Sequence, residues 1–265
     1  MRYNISTDAR PQARLLLFAV LLSIALWFIP FAGILTYPFR IFVTFIHEGG
    51  HALVAVLTGN SVSGLSVAMD GSGETYTTNG GLISQLLISS AGYIGAMSFG
   101  ALLLVLIRRA MAARIVLAGS AILIAGLTLI FGIIKPLFSG SLSMLSGAPF
   151  TILAAIFLSF ALFAAARFAS TKVATFLVSF LAVQCVLNAL GDLKTIFFLS
   201  TPWASNVPTD AVNMANATGI PSIFWAVAWI VAGFVILGLA MRIYVVARDS
   251  KSSQPDLPFD SPLDV

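Results

Sequence analysis

Apolar runs long enough to cross a bilayer, separated by short polar or basic stretches, set the plan of this chain. A spanning helix needs about 20 mostly apolar residues. Such runs lie at about 15–35, 38–59, 82–107, 115–134, 150–166, 173–199 and 220–244. The first carries no charge, places Trp27 near the interface with Tyr37 just beyond it, and has Pro30 as a kink point. The third contains Ala91 and Gly95 at small-xxx-small spacing, which predicts close helix packing. The last holds Trp225 and Trp229 four apart on one face, as packing or interface anchors. The stretch 61–81 breaks the pattern at length. There Leu65-Ser66-Val67-Ala68-Met69 alternates, Asp70-Gly71-Ser72-Gly73 is turn chemistry, and Glu74-Thr75-Tyr76-Thr77-Thr78 is strand-prone, which predicts a β-hairpin at the membrane surface. The Gly/Ser-rich stretch 139–148 is a loop, and 200–219 is a polar loop in which Asp210 serves as N-cap of a short helix through Ala217.

The expected fold is therefore an all-α polytopic membrane protein, with about six to seven transmembrane helices and a short membrane-associated hairpin. A polar tail (1–14) precedes one integral-membrane domain (15–246), and a Ser-, Pro- and Asp-rich tail (247–265) is expected to be disordered.

Composition agrees with the pattern. The 265 residues are 59% hydrophobic and 9% charged, against about 25% charged in soluble domains. The net charge of +4 is small, and Lys and Arg sit mostly between the apolar runs. That suits anchoring at a lipid surface and gives no sign of nucleic-acid binding. The single cysteine, Cys185, lies within an apolar run and excludes an intrachain disulfide.

The chemistry concentrates in one place. Both histidines of the chain fall in His47-Glu48-Gly49-Gly50-His51. Positions i and i+4 share a helix face, so two imidazoles can hold one zinc ion while the Glu between them serves as general base. The bland alternative is helix packing that merely fits the pattern. Polar groups inside hydrocarbon cost several kcal/mol unless paired or in a cavity, which favours a functional site. Gly49 and Gly50 each weaken a helix by about 1 kcal/mol relative to Ala, so close approach of a neighbouring backbone or of substrate is their expected use.

A catalytic zinc needs a third protein ligand and an open position. Asp192 is the only acidic residue inside a late apolar run, with Asn188 one turn before it on the same face. Asp192 is the expected third ligand and Asn188 a hydrogen-bond donor that supports substrate or oxyanion. The alternative for this pair is a structural polar contact between helices. Asp70 and Glu74 read as turn and surface charges.

These residues carry a resemblance. Phe45 through Leu53 in a membrane helix, the polar hairpin after it, and Asn188 with Asp192 in a late helix resemble the site-2 protease family of intramembrane zinc metalloproteases. The similarity is greatest to a compact branch without a PDZ domain. It extends to Ser-Ala-Gly-Tyr-Ile-Gly at 90–95, Asn-Ala-Leu-Gly-Asp-Leu at 188–193 and the Thr-Asp-Ala to Trp stretch at 209–229, and covers about 38–230. The resemblance implies His47, His51 and Asp192 as zinc ligands and Glu48 as the base. It implies hydrolysis of a peptide bond in or near the transmembrane segment of a membrane-anchored protein, in a bacterial cytoplasmic (inner) membrane. One residue departs from the pattern: better-known members place Gly directly after the Asp, where this chain has Leu193.

Two other functions fit the sequence. A catalytically silent membrane scaffold would keep the fold without need of Glu48. A transporter would use His47, Glu48 and Asp192 as a proton relay. Orientation has two opposed readings. Basic boundaries placed in the cytoplasm put the N-terminus and hairpin outside, whereas the family arrangement puts hairpin and site toward the cytosol.

Overall fold

The computed structural model describes residues 10–78, 80–108, 112–139, 148–201 and 208–245. The first residues of the polar tail, the Gly/Ser-rich loop at 140–147, positions 202–207 of the polar loop and the C-terminal tail lie outside the described residues.

The chain forms helices α1 (Arg10–Phe28) and α2 (Gly33–Leu57), then strands β1 (Val62–Val67) and β2 (Gly73–Thr77). Helix α3 (Leu82–Arg108) follows, then α4 (Ala113–Ser139), α5 (Ala148–Phe168), α6 (Thr171–Leu199), the short α7 (Asp210–Thr218) and α8 (Ser222–Val245). Among the described residues, six helices are long and apolar enough to cross a membrane, namely α2 to α6 and α8. Helix α1 is a shorter apolar helix.

The break between the first two helices falls earlier than the hydrophobic pattern predicts. The residue before a proline is pushed out of helical conformation, and Pro30 ends α1 where a kink was expected. Phe31 then takes a left-handed backbone (φ 64°), and α2 starts at Gly33 and carries Pro38 inside it. Helix α4 also runs past its expected end. Its segment Thr128–Ile134 is π-helical, and the widened turn sits where Pro136 would otherwise clash with the carbonyl four residues back.

Helix α3 is the central post and packs on α2, α6 and α8, while α4 pairs with α5. The α2–α3 crossing is close because Gly50 has no side chain. A Cβ there would lie 2.5 Å from the Ala91 carbonyl oxygen, and Gly95 faces Gly50 one turn on. The expected small-residue packing is thus seen at this crossing. Phe42 and Phe45 of α2 are fully buried in the main core, with Met97, Leu117, Ile124 and Leu181. The opposite stripe of α2 carries Arg40, Thr44, His47, Glu48 and His51, all facing one cavity. Large apolar residues on the outside of the bundle, such as Phe160, Phe224 and Val231, are exposed, as a lipid-facing surface requires.

The hairpin is antiparallel, with Val67 opposite Gly73 and Leu65 opposite Thr75. Its turn places Gly71 at φ 85°, a conformation for which glycine has no steric cost. Ser72 donates to Asp70 through both its amide (2.9 Å) and its hydroxyl (2.7 Å). Those bonds hold the Asp70 carboxyl below the usual carboxylate range. The tip is pinned to α2, where Tyr37 donates to the Met69 carbonyl (2.6 Å) and Thr44 to that of Gly71 (2.8 Å). On the other side, Thr151 of α5 accepts from the Val67 amide (2.9 Å) and donates to its carbonyl (3.2 Å). Val67 therefore turns its backbone groups away from β2. By the alternation of antiparallel pairs, Gly73 and Thr75 turn theirs the opposite way, and both residues line the cavity.

Candidate metal centre and active site

The cavity has a volume of about 1000 Å³ and is lined by α2, the hairpin, α3, α6 and α7. Helix α2 presents His47 and His51 one turn apart. Their Nε2 atoms lie 3.0 Å from each other and 3.6 and 3.4 Å, respectively, from Oδ2 of Asp210. Among the described residues, these three offer ligand atoms that all lie within 4.8 Å of one another.

The outer contacts orient this group. His51 Nδ1 lies 2.6 Å from the Ile88 carbonyl oxygen. A carbonyl can only accept, so Nδ1 carries the hydrogen and Nε2 keeps its lone pair for the centre of the group. The His47 ring meets Tyr93 edge-on (centroids 4.5 Å apart), and Tyr93 stacks on Trp229 (5.1 Å). The Trp229 indole in turn donates to Ser90 (3.0 Å). These aromatic contacts leave His47 little room to rotate.

Three features fit a metal ion. Two imidazoles and one carboxylate are a donor set that zinc uses in catalytic sites. The two Nε2 atoms facing each other beside a carboxylate suit a cation held between them. The third feature is space: a Cβ on Gly92 would fall on the Nε2 atoms of both histidines. The absence of a side chain at 92 is what keeps this volume open.

The third member of the group is Asp210, where Asp192 was expected. Asp192 lines the same cavity from α6, but it is not in the group of ligand atoms. Asp210 sits at the first position of α7, not at its cap. Thr209 is the cap, in an extended conformation, with its hydroxyl accepting from the Val212 amide (3.3 Å). That single-residue shift sends the Asp210 carboxylate across to the histidines. Asn188 does not line the cavity. Its amide donates to the Gln184 carbonyl (2.8 Å), and Gln184 reaches Ser23 of α1 (3.1 Å). These hydrogen bonds of Asn188 stay within α6, and it is Gln184 that makes the contact with α1.

Glu48 is buried at 5% exposure. Its Oε2 accepts from the Thr75 hydroxyl (2.7 Å), and the same hydroxyl lies 3.0 Å from the Glu48 carbonyl. Strand β2 approaches Glu48 at Gly73, where a Cβ would come within 2.6 Å of Glu48 Cγ and Oε1. Sequence reasoning missed Thr75, Gly92 and Asp210 as site residues. The Thr-Asp-Ala string at 209–211, part of the family resemblance, was the available signal for the last of these.

The family model described as Peptidase M50B-like matches residues 13–240, which is most of the chain. No curated protein and no solved structure matches it significantly.

Proposed function

The chain belongs to the site-2 protease family of membrane metallopeptidases, and on that premise we propose that it is an active zinc endopeptidase that cleaves a membrane-anchored protein in or near its transmembrane segment. The observation that carries this reading is the meeting of His47, His51 and Asp210 beside Glu48 in a polar cavity. Zinc held by His47, His51 and Asp210 would supply Lewis acidity to a water molecule and to the scissile carbonyl. With Oε2 held by Thr75, Glu48 takes the proton of the attacking water on Oε1 and passes it to the leaving amine. A helical peptide bond has its backbone groups already paired, so the substrate must unwind. The outward backbone groups of Gly73 and Thr75 offer the unwound segment new hydrogen bonds, as an added strand on β2. A bacterial cytoplasmic membrane is the proposed location.

Purified protein loaded with zinc tests this reading. One ion per chain, lost in His47→Ala and in Asp210→Ala, is the expected result. Glu48→Gln should keep the ion and lose cleavage of a membrane-anchored reporter by about 10²–10⁴-fold. A wild-type protein without zinc would sink the proposal. Zinc retained with no cleavage of any reporter would favour the silent scaffold.

A further inference from the structure

The mechanism leaves the arginine of the cavity unused. Arg40 lies on the same stripe of α2 as Glu48, two helical turns earlier, and lines the cavity. Among the described residues it forms no ion pair within 4.0 Å. Its guanidinium packs against the hairpin tip, where a Cβ on Gly71 would lie 2.6 Å from Nε and 2.8 Å from Cζ. The tip is itself tied to α2 through Tyr37 and Thr44. An arginine within a spanning helix is costly unless it faces a polar cavity and has a task there.

The other charges of the cavity sharpen the case. Besides the two histidines, the lining holds Glu48, Glu74, Asp192 and Asp210, and among the described residues Arg40 is its only Arg or Lys. Arg40 is thus the one guanidinium that an acidic group entering this cavity can meet among the described residues, with Asp70 near it at the tip but not paired with it. Arg40 and Glu48 are separated by about 12 Å of helix, from eight residues at 1.5 Å each. An extended chain covers that distance in roughly three to four residues. Strand β2 runs along the same path, from the tip at Arg40 past Glu48, where Gly73 and Thr75 contact the carboxylate side chain.

We propose that Arg40 is a specificity residue that seats an acidic side chain of the unwound substrate, roughly three to four residues from the cleaved bond. The inference rests on the protease reading and adds a substrate class to it. Guanidinium and carboxylate match in a two-pronged hydrogen-bonded pair. Repulsion by the remaining carboxylates rejects the same acidic residue at other registers. The pair thereby fixes which peptide bond lies at Glu48.

The test uses zinc-loaded full-length protein and a set of single-pass membrane reporters. One Asp, or an Asn as its neutral control, is moved through every position of the cleavable segment, and products are read by mass spectrometry. The expected result is a peak in the Asp/Asn ratio of kcat/KM, roughly tenfold or more, at one register about three to four residues from the cut. Arg40→Gln should flatten the peak, and Arg40→Glu should replace it with a preference for Lys at the same register. Zinc content serves as the check that each variant is folded. A flat Asp scan by an enzyme that cleaves overturns the inference and leaves the protease reading standing. An Asp peak that survives both substitutions overturns it too, as does loss of all cleavage in both zinc-loaded variants. If Arg40→Gln changes every reporter equally, and the change follows the anionic lipid content of the vesicles, Arg40 serves lipid headgroups and the inference falls. No cleavage by the zinc-loaded wild type overturns the protease reading and this inference with it.

Discussion

Helices α2 and α7 each bring part of one candidate centre, and they are built by opposite means. Helix α2 is a 25-residue span with fully buried Phe42 and Phe45 on one side and the cavity on the other. Its two histidines are placed by helix geometry and core packing. Helix α7 has nine residues and lies outside the six spanning helices. It is positioned by the Thr209 cap, by Gly219 in left-handed conformation (φ 74°) at its end, and by packing against α3 and α8. Isolated helices of this length are marginal, so the carboxylate half depends on its surroundings far more than the histidine half does.

The comparison can be broken most directly at its two acidic candidates. Asp210→Ala should lower zinc affinity by more than the roughly 10–100-fold that loss of an outer-shell partner costs, whereas Asp192→Ala should keep the ion. Equilibrium metal binding of the two variants, side by side, decides it, and the reverse ranking would return the ligand role to α6. Gly92→Ala comes next. It removes no ligand, yet the new methyl would occupy the space between the histidines and should empty the site, a loss visible in metal content while helical circular dichroism is retained. Thr75→Val should leave metal in place and lower kcat by roughly 10–100-fold, because a hydrogen bond to a charged group is lost at the base. Full activity in that variant would remove β2 from the catalytic arrangement.

Smaller effects probe the support of α7 and of the hairpin. Thr209→Ala should cost about 1 kcal/mol of helix stability and weaken zinc binding several-fold, with no matching effect from capping changes on α2. A zinc affinity identical to wild type would show α7 to be held by packing alone. At the hairpin tip, the Asp70 carboxyl is lowered by Ser72 in the folded state. A lowered folded value gives stability that is present above the unfolded value of about 3.9 and is lost as pH falls through the folded value. Protection of the Ser72 amide from hydrogen exchange should therefore persist to mildly acidic pH and disappear below it, and in Asp70→Asn that pH step should be absent.

The same contrast explains what could be read from the sequence. The His-Glu-x-x-His spacing is a local signal, and the structure places both histidines and the glutamate where helix periodicity puts them. The spans and the hairpin are written in hydrophobic runs and turn residues, which are local too. The third acidic partner depends on how α6 and α7 sit against α2, and no periodicity records that. Asp192 drew attention because a charge within an apolar run is conspicuous. Asp210 lies in a polar segment where an acid is ordinary, and it reads as a cap one residue out of place. For Asn188, sharing a face with Asp192 does not decide which neighbour its amide meets, and here that neighbour is Gln184 one turn back on α6. The break at Pro30 and the π-helical turn before Pro136 show a further limit. A proline marks trouble for a helix, but packing decides whether the helix ends, bends or widens.

The contact of Thr151 with both backbone groups of Val67 has a consequence for how the protein behaves among many copies of itself. Unpaired strand edges are templates for uncontrolled pairing between chains. One hydroxyl from a distant helix closes that edge at Val67, so the hairpin has a preferred side for growth. On the proposed reading its open side takes a single guest strand next to the base, and the closed side makes it a poor seed for a sheet that extends from protein to protein through a crowded bilayer.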